Sequence, residues 1–330
     1  MSDYLWEKSG KADPEIERLE RALEVFAQAS PPPPLGLRKP PAAGRGFGRS
    51  ALLIAASLTL VVAGLVLALT MRRSTPGWQV TTASGSSTLP VGAWLDTKSG
   101  EATMAVANIG TVTVEPGARV RLLDSREGHH RMELARGTMH ATIWAPPNQF
   151  FVETPSTLAV DLGCAYTLTV DEDGGGLVTV LVGWVGFSTG ERESFIPAGF
   201  AAVTRPRIGP GTPYSERTSD DYRQALALID FSPGDPGVEQ ALALVLDQSE
   251  ERDEVTLWHL LTRAPDAGRD RVFDRRASFV PPPTGVTRDG IRAGDRRMLD
   301  AWWDALGLGT TSLWRTWSQQ WKESQPRNLP

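Results

Sequence analysis

The sequence predicts a chain in several parts: a single transmembrane helix, an all-β central domain and an all-α C-terminal region. Three observations carry that expectation. Residues Ala51 to Met71 form one uncharged apolar run, short runs of period two fill residues 78–207, and apolar residues return to helical spacing over residues 218–323. The expected organisation is therefore a helical tail (1–30), a linker (31–50), a membrane span (51–71), a β domain (78–207) and an α-helical domain (218–323).

The tail opens with a small apolar cluster, Tyr4, Leu5 and Trp6, on an otherwise polar chain. Asp13-Pro14 reads as an N-cap followed by proline at the first helical position, where the missing N–H is not needed. Ile16, Leu19, Leu23 and Phe26 then recur at helical spacing among charged residues, and Pro31 to Pro34 stop the helix. So short a helix is marginal alone in water, and its stripe needs a partner, either another protein or a membrane surface. Its acidic character and lack of a basic face favour a protein. Residues 31–50 are proline-rich and then glycine-rich, the composition of a spacer.

At about 1.5 Å per residue the run Ala51–Met71 spans roughly 31 Å, the depth of a bilayer's hydrocarbon core. A secretory signal is excluded as a reading, because a long polar segment precedes the run and the run itself is too long. A buried core helix of this length would normally show a polar face. Arg38, Lys39, Arg45 and Arg49 precede the span and Arg72 and Arg73 follow it, so the greater positive charge places the tail in the cytoplasm. The net charge of −5 and pI near 5.5 give no electrostatic footprint for direct nucleic-acid binding. Cys164 is the one cysteine, so no disulfide forms within the chain.

From Trp78 to Arg207 the pattern alternates, as in Thr111–Val114, Arg119–Leu122 and Phe151–Thr154. Two longer runs, Tyr166–Asp171 and Leu177–Phe187, flank the turn-forming Asp171–Gly176, a hairpin signal. Many short strands imply a sandwich, a barrel or a compact β-roll, and periodicity does not choose among them. Several stretches then resemble the FecR family. Val114–Val120, with Pro116 and Gly117, is similar to its strand–turn–strand. Leu134–His140, with Gly137, is similar to a second strand of that family. Phe150–Pro155, carrying Phe151, Val152, Thr154 and Pro155, followed by Val160–Tyr166, carrying Gly163, Cys164 and Tyr166, resembles its longest signature. The likeness covers roughly residues 100–206 together with the order of tail, span and spacer. Cys164 stands where the family commonly has threonine, and Tyr166 where it has phenylalanine.

The resemblance implies a single-pass protein of the bacterial inner membrane, N-terminus cytoplasmic and C-terminal domains periplasmic. Its tail would control an extracytoplasmic-function sigma factor, and its β domain would sense an envelope or receptor protein. The small α+β module that usually ends the family is not evident. Instead Tyr222, Ala225, Leu226 and Ile229 form one helical stripe, and Val238, Leu242, Val245 and Leu246 a second. Val255, Trp258 and Leu261, then Met298, Trp302 and Leu306, continue the pattern toward a helical bundle or stacked helix pairs. Trp314, Trp317 and Trp321 share one face of a last helix, either core packing or a docking surface.

No catalytic motif is present, and no cofactor is expected. Residues 1–50 hold neither His nor Cys, which excludes a zinc-binding tail. His129-His130 after Gly128 read as a solvated turn, and Glu191 and Glu193 as part of a polar loop. The acidic Asp171–Gly176 lacks the ligands of a known calcium loop. Cys164, in an apolar strand without a basic neighbour, reads as a buried, inert thiol. Two functional readings remain open: a transducer acting on a sigma factor, or a tethered envelope-binding or scaffold protein without one.

Overall fold

The computed structural model describes residues 77–190 and 192–308, which belong to one compact unit, Ala68–Pro330. The tail and its residues Tyr4, Leu5, Trp6, Ile16, Leu19, Leu23 and Phe26 lie outside the described residues. So do the linker, the apolar run 51–71, Glu191 and the terminal Trp314, Trp317 and Trp321. Among the described residues no helix is long and apolar enough to cross a membrane.

The strands are β1 (Trp78–Thr82), β2 (Gly85–Leu89), β3 (Trp94–Asp96), β4 (Ala102–Val106), β5 (Gly110–Val114) and β6 (Arg119–Arg126). Next come β7 (His129–Ile143), β8 (Phe150–Glu153), β9 (Leu158–Asp161), β10 (Ala165–Val170) and β11 (Gly176–Val182). The last are β12 (Trp184–Thr189), β13 (Arg192–Pro197), β14 (Phe200–Arg205), β15 (Gly209–Pro210) and β16 (Tyr214–Ser215). The helices are α1 (Asp220–Phe231), α2 (Val238–Gln248), α3 (Glu254–Arg263), α4 (Asp266–Phe279), α5 (Arg288–Arg292) and α6 (Arg296–Asp304).

All sixteen strands join one hydrogen-bonded sheet, folded into two layers by its longest member, β7. The first half of β7 pairs antiparallel with β6 and parallel with β8; its second half pairs antiparallel with β5 and β10. The fold line falls at Gly137, whose φ is +90°. A side chain there would also press on the backbone of Ala118, 2.4 Å from the added carbon. Gly137 is thus required twice, for a left-handed backbone and for close approach of a neighbouring strand.

Period two sorts the side chains between layers. Val112, Val114, Met139, Tyr166, Leu168 and Val178 from one layer meet Val120, Leu122, Met132, Leu134, Val152 and Phe187 from the other in a single core. The second layer is covered on its far side too. There Phe151, Val160 and Phe195, which alternate with residues of the first core, pack under the helices. Leu226, Leu242, Val245, Leu257, Leu260, Trp302 and Trp303 complete that second core. A sandwich carrying a helical layer accounts for both the alternating strands and the helical stripes of the sequence. Ser219 caps α1 by accepting from the Tyr222 N–H, and Asp295 caps α6 through Arg297 and Met298.

Two expectations are corrected. Leu177–Phe187 is not one strand: the chain leaves β11 in the first layer and enters β12 in the second at Gly183, φ +74°. A side chain at Gly183 would come within 2.2 Å of the Gly163 carbonyl, so only glycine allows this crossing. Nor are His129 and His130 a solvated turn. The hairpin turns one step earlier, at Glu127-Gly128, and both histidines already belong to β7. The Asp171–Gly176 hairpin joins β10 to β11, closed by the Asp171 N–H donating to the Gly175 carbonyl at 2.8 Å.

Candidate functional site

Among the described residues a concavity lies at one end of the sandwich, where β1 begins, β4 turns into β5 and the β6–β7 hairpin closes. It is a half-open cleft of about 770 Å³, within the usual range for small-ligand sites. Trp78 forms one wall, fixed by its indole N–H donating to the Ser125 hydroxyl at 3.1 Å. Trp144 also lines the cleft, 65% exposed although its backbone N–H is tied to the Ile109 carbonyl at 3.0 Å. Ile109, Ala145 and Pro146 add apolar surface, while Gln79, Asn108, Glu127 and Gln149 bring polar side chains to the opening.

His130 lines the same cleft and is only 3% exposed. Its N–H donates to the Gln149 carbonyl at 2.7 Å, holding the segment after β7 against the start of that strand. The ring lies 6.4 Å from Trp78, and its Nδ1 is buried without a hydrogen-bond partner. Burial lowers the His130 pKa, so the imidazole is held neutral. His129 points the other way, its Nδ1 within 3.2 Å of Asp124 and its ring 5.0 Å from Phe151. The period-two alternation separates the two rings onto opposite faces.

The signature residues do structural work. Pro116 and Gly117 form the turn into β6; Gly117 has φ +84°. Phe151 belongs to the core under the helices and Val152 to the core of the sandwich. The Thr154 hydroxyl donates to the Thr157 carbonyl at 2.9 Å, closing the turn through Pro155. Asp161 takes Gly163 N–H at 2.6 Å, Cys164 N–H at 3.1 Å and the Cys164 thiol at 2.9 Å. Burial raises the Asp161 carboxyl to about 7 and pushes the thiol far above its ordinary value. Cys164 is buried, as the sequence suggests, but it sits in the turn before β10 and not in a strand. The Tyr166 hydroxyl is buried without a partner.

A third polar group fastens the helices to the sandwich. Asp230 of α1 receives Arg192 from β13 at 2.5 Å, the Thr212 N–H at 2.6 Å and the Thr212 hydroxyl at 3.0 Å. Arg263 of α3, lowered to about 10 by burial, lies 3.7 Å from Asp230 and donates to the Glu193 carbonyl and the Ser194 hydroxyl. Glu193 is therefore a strand residue of β13 and not part of a polar loop. Beside it His259 donates from Nδ1 to the Val255 carbonyl at 2.8 Å, and its Nε2 accepts from the Phe195 N–H at 3.1 Å. Every nitrogen of that ring is used, which marks it as structural.

The cleft was not anticipated from the sequence. Trp78, Asn108, His130, Trp144 and Gln149 come from separate turns and strand ends, and no local spacing connects them. Trp144 alone left a signal, because it continues the outward register of His140 and Thr142 beyond the end of β7.

No protein-family model matches this chain, and no curated protein matches it. Two crystal structures of a candidate anti-sigma factor from Parabacteroides distasonis ATCC 8503, at 1.65 and 2.50 Å resolution, are similar to part of it. Both share 14% identity with it, with TM-scores of 0.33 and 0.32. Each match covers 40% of this chain, which spans 63% of the length of those structures. Superposition at this level defines no shared fold and no shared partner.

Proposed function

We propose that this chain is a FecR-like signal transducer of the bacterial inner membrane. Its tail, residues 1–30, regulates an extracytoplasmic-function sigma factor in the cytoplasm, and its β domain responds to an envelope or receptor protein outside. The reading rests on one observation above all: an amphipathic tail stripe and a large β domain are divided by the uncharged run Ala51–Met71. The order of the FecR-like stretches supports it. The protein acts by binding and not as an enzyme, in keeping with a sequence that offers no catalytic motif.

The experiment is co-purification of the full-length protein with each extracytoplasmic-function sigma factor of the source cell, repeated after deletion of residues 1–30. Retention of one sigma factor that depends on the tail supports the proposal. No association, with transcription unchanged on deleting the tail, rejects it. Alkaline-phosphatase and fluorescent-protein fusions on either side of the span test the orientation.

A second reading, a membrane-tethered periplasmic binding or scaffold protein with no sigma-factor partner, is favoured by the cleft between Trp78 and Trp144. It predicts ligand binding by the full chain that survives loss of the tail without a transcriptional phenotype.

A further inference from the structure

The side chains around the end cleft share a chemical character that the transducer reading does not use. The rim carries an exposed indole, Trp144, and the wall a second, Trp78. Between them stand three primary amides, Gln79, Asn108 and Gln149, one carboxylate, Glu127, and a neutral imidazole, His130. Among the described residues Asn108 and Gln149 have no side-chain hydrogen-bond partner, and neither does His130 Nδ1. Among the described residues that line the cleft there is no lysine or arginine.

That set discriminates among ligand classes. A phosphate or carboxylate ligand calls for cations, and Glu127 would repel it. A purely apolar ligand would leave the amides without partners as it displaced water from them. A peptide strand would need an open sheet edge, whereas turns and strand ends line this opening. A neutral saccharide fits every part. The C–H face of a pyranose ring packs on an exposed indole through dispersion and the ring quadrupole. Its hydroxyls, each both donor and acceptor, match amides, a carboxylate and an imidazole, which offer both functions in a small space.

We propose that the cleft between Trp78 and Trp144 binds a short neutral oligosaccharide. Trp144 is the stacking platform, and Asn108 and Gln149 bind the hydroxyl groups.

The test uses the full-length protein, held in a detergent without a sugar headgroup, titrated by calorimetry with chitotriose, cellotriose and maltotriose. The expected result is binding of at least one trisaccharide in the millimolar range or tighter, weakened about tenfold or more by Trp144→Ala. Trp94→Ala is the control. Trp94 is also exposed, but it sits beneath Arg119 and Arg121 at 4.4 and 4.7 Å, away from the cleft, and its loss is expected to leave affinity unchanged. Gln149→Ala, which leaves the indoles in place, is expected to weaken the same trisaccharide. Failure to bind any of the three overturns the proposal. So does binding that Trp144→Ala leaves intact, or binding confined to an apolar peptide probe of matching size. None of these outcomes depends on the sigma-factor experiment.

Discussion

Replacing Gly137 by alanine tests whether the two-layer architecture depends on one backbone position. Two terms oppose the substitution. A left-handed backbone costs a residue with a Cβ about 1–2 kcal/mol, and φ at Gly137 is +90°. The new carbon would also lie 2.4 Å from the Ala118 Cα and 2.6 Å from its Cβ, an overlap relieved only by moving β6 away from the bend. Overpacking of that kind costs roughly 1–3 kcal/mol. Gly117 provides the comparison, with φ +84° and no atom within 4 Å of an added carbon, so Gly117→Ala carries the first term alone. The gain of about 0.4–1 kcal/mol from a stiffer unfolded chain is common to both and cancels. Thermal unfolding of the full-length protein, followed by circular dichroism, is expected to show Gly137→Ala lower than Gly117→Ala. The gap is roughly 1–3 kcal/mol, several degrees in Tm for a unit of this size. Equal transitions for the two variants would refute the claim that contact with Ala118 fixes the fold line.

Tyr166→Phe removes a buried hydroxyl that has no partner and keeps the ring in the core; denaturant unfolding is expected to show a gain of about 1 kcal/mol. Asp161 binds its proton more tightly in the folded protein, at about 7, than the ordinary 3.8. Between those values the native state holds the extra proton, so its contribution to stability falls as pH rises from about 4 to about 7. In Asp161→Asn that part of the decline should vanish when denaturant stability is compared at pH 5 and pH 8, while the smaller share from Glu254, also raised to about 7, remains. Asp230→Asn strips the counter-charge from Arg192 and from Arg263, which is buried at the α–β junction; a loss of about 3–5 kcal/mol in the same assay is expected. A loss below about 1 kcal/mol would show that the neutral bonds to Glu193 and Ser194 suffice for Arg263.

Alternation and helical spacing made the element types legible. Thr111–Val114 and Arg119–Leu122 fall inside β5 and β6; the stripes at Tyr222, Val238 and Val255 fall on α1, α2 and α3, while that of Met298 and Trp302 lies on α6 and its last member, Leu306, in the turn beyond it. What alternation cannot carry is the layer to which a strand belongs. Val178 and Phe187 read alike in sequence, yet Gly183 sends them to different layers. Helix α4 left no apolar stripe because it buries little beyond Gly268, Val272, Phe273 and Arg276, and the last of these is a charge set against Glu254. His130 reads in sequence as a turn residue because the turn is as short as two residues, and one position of slip inverts every facing. The cleft was invisible for a related reason. Its side chains are brought together by register between strands distant in sequence, and no short motif encodes that.

The positions where this chain departs from the FecR pattern, Cys164 and Tyr166, surround the same buried carboxyl. A thiol is a weak donor compared with a hydroxyl, and it gives Asp161 less support as an anion. Burial then prevails and holds the proton on the acid toward neutral pH. That acid closes the turn in which the chain leaves β9 in one layer for β10 in the other, through Gly163 at φ +84°. Directly beside it the chain crosses back at Gly183, packed on the Gly163 carbonyl. The longest family-like stretch is therefore a lock on two adjacent layer crossings, built for backbone geometry. Most of its side chains face inward, Phe151, Val152, Val160, Asp161, Cys164 and Tyr166 among them. The cleft lies beyond that stretch, with Trp144 and His130 in its lining.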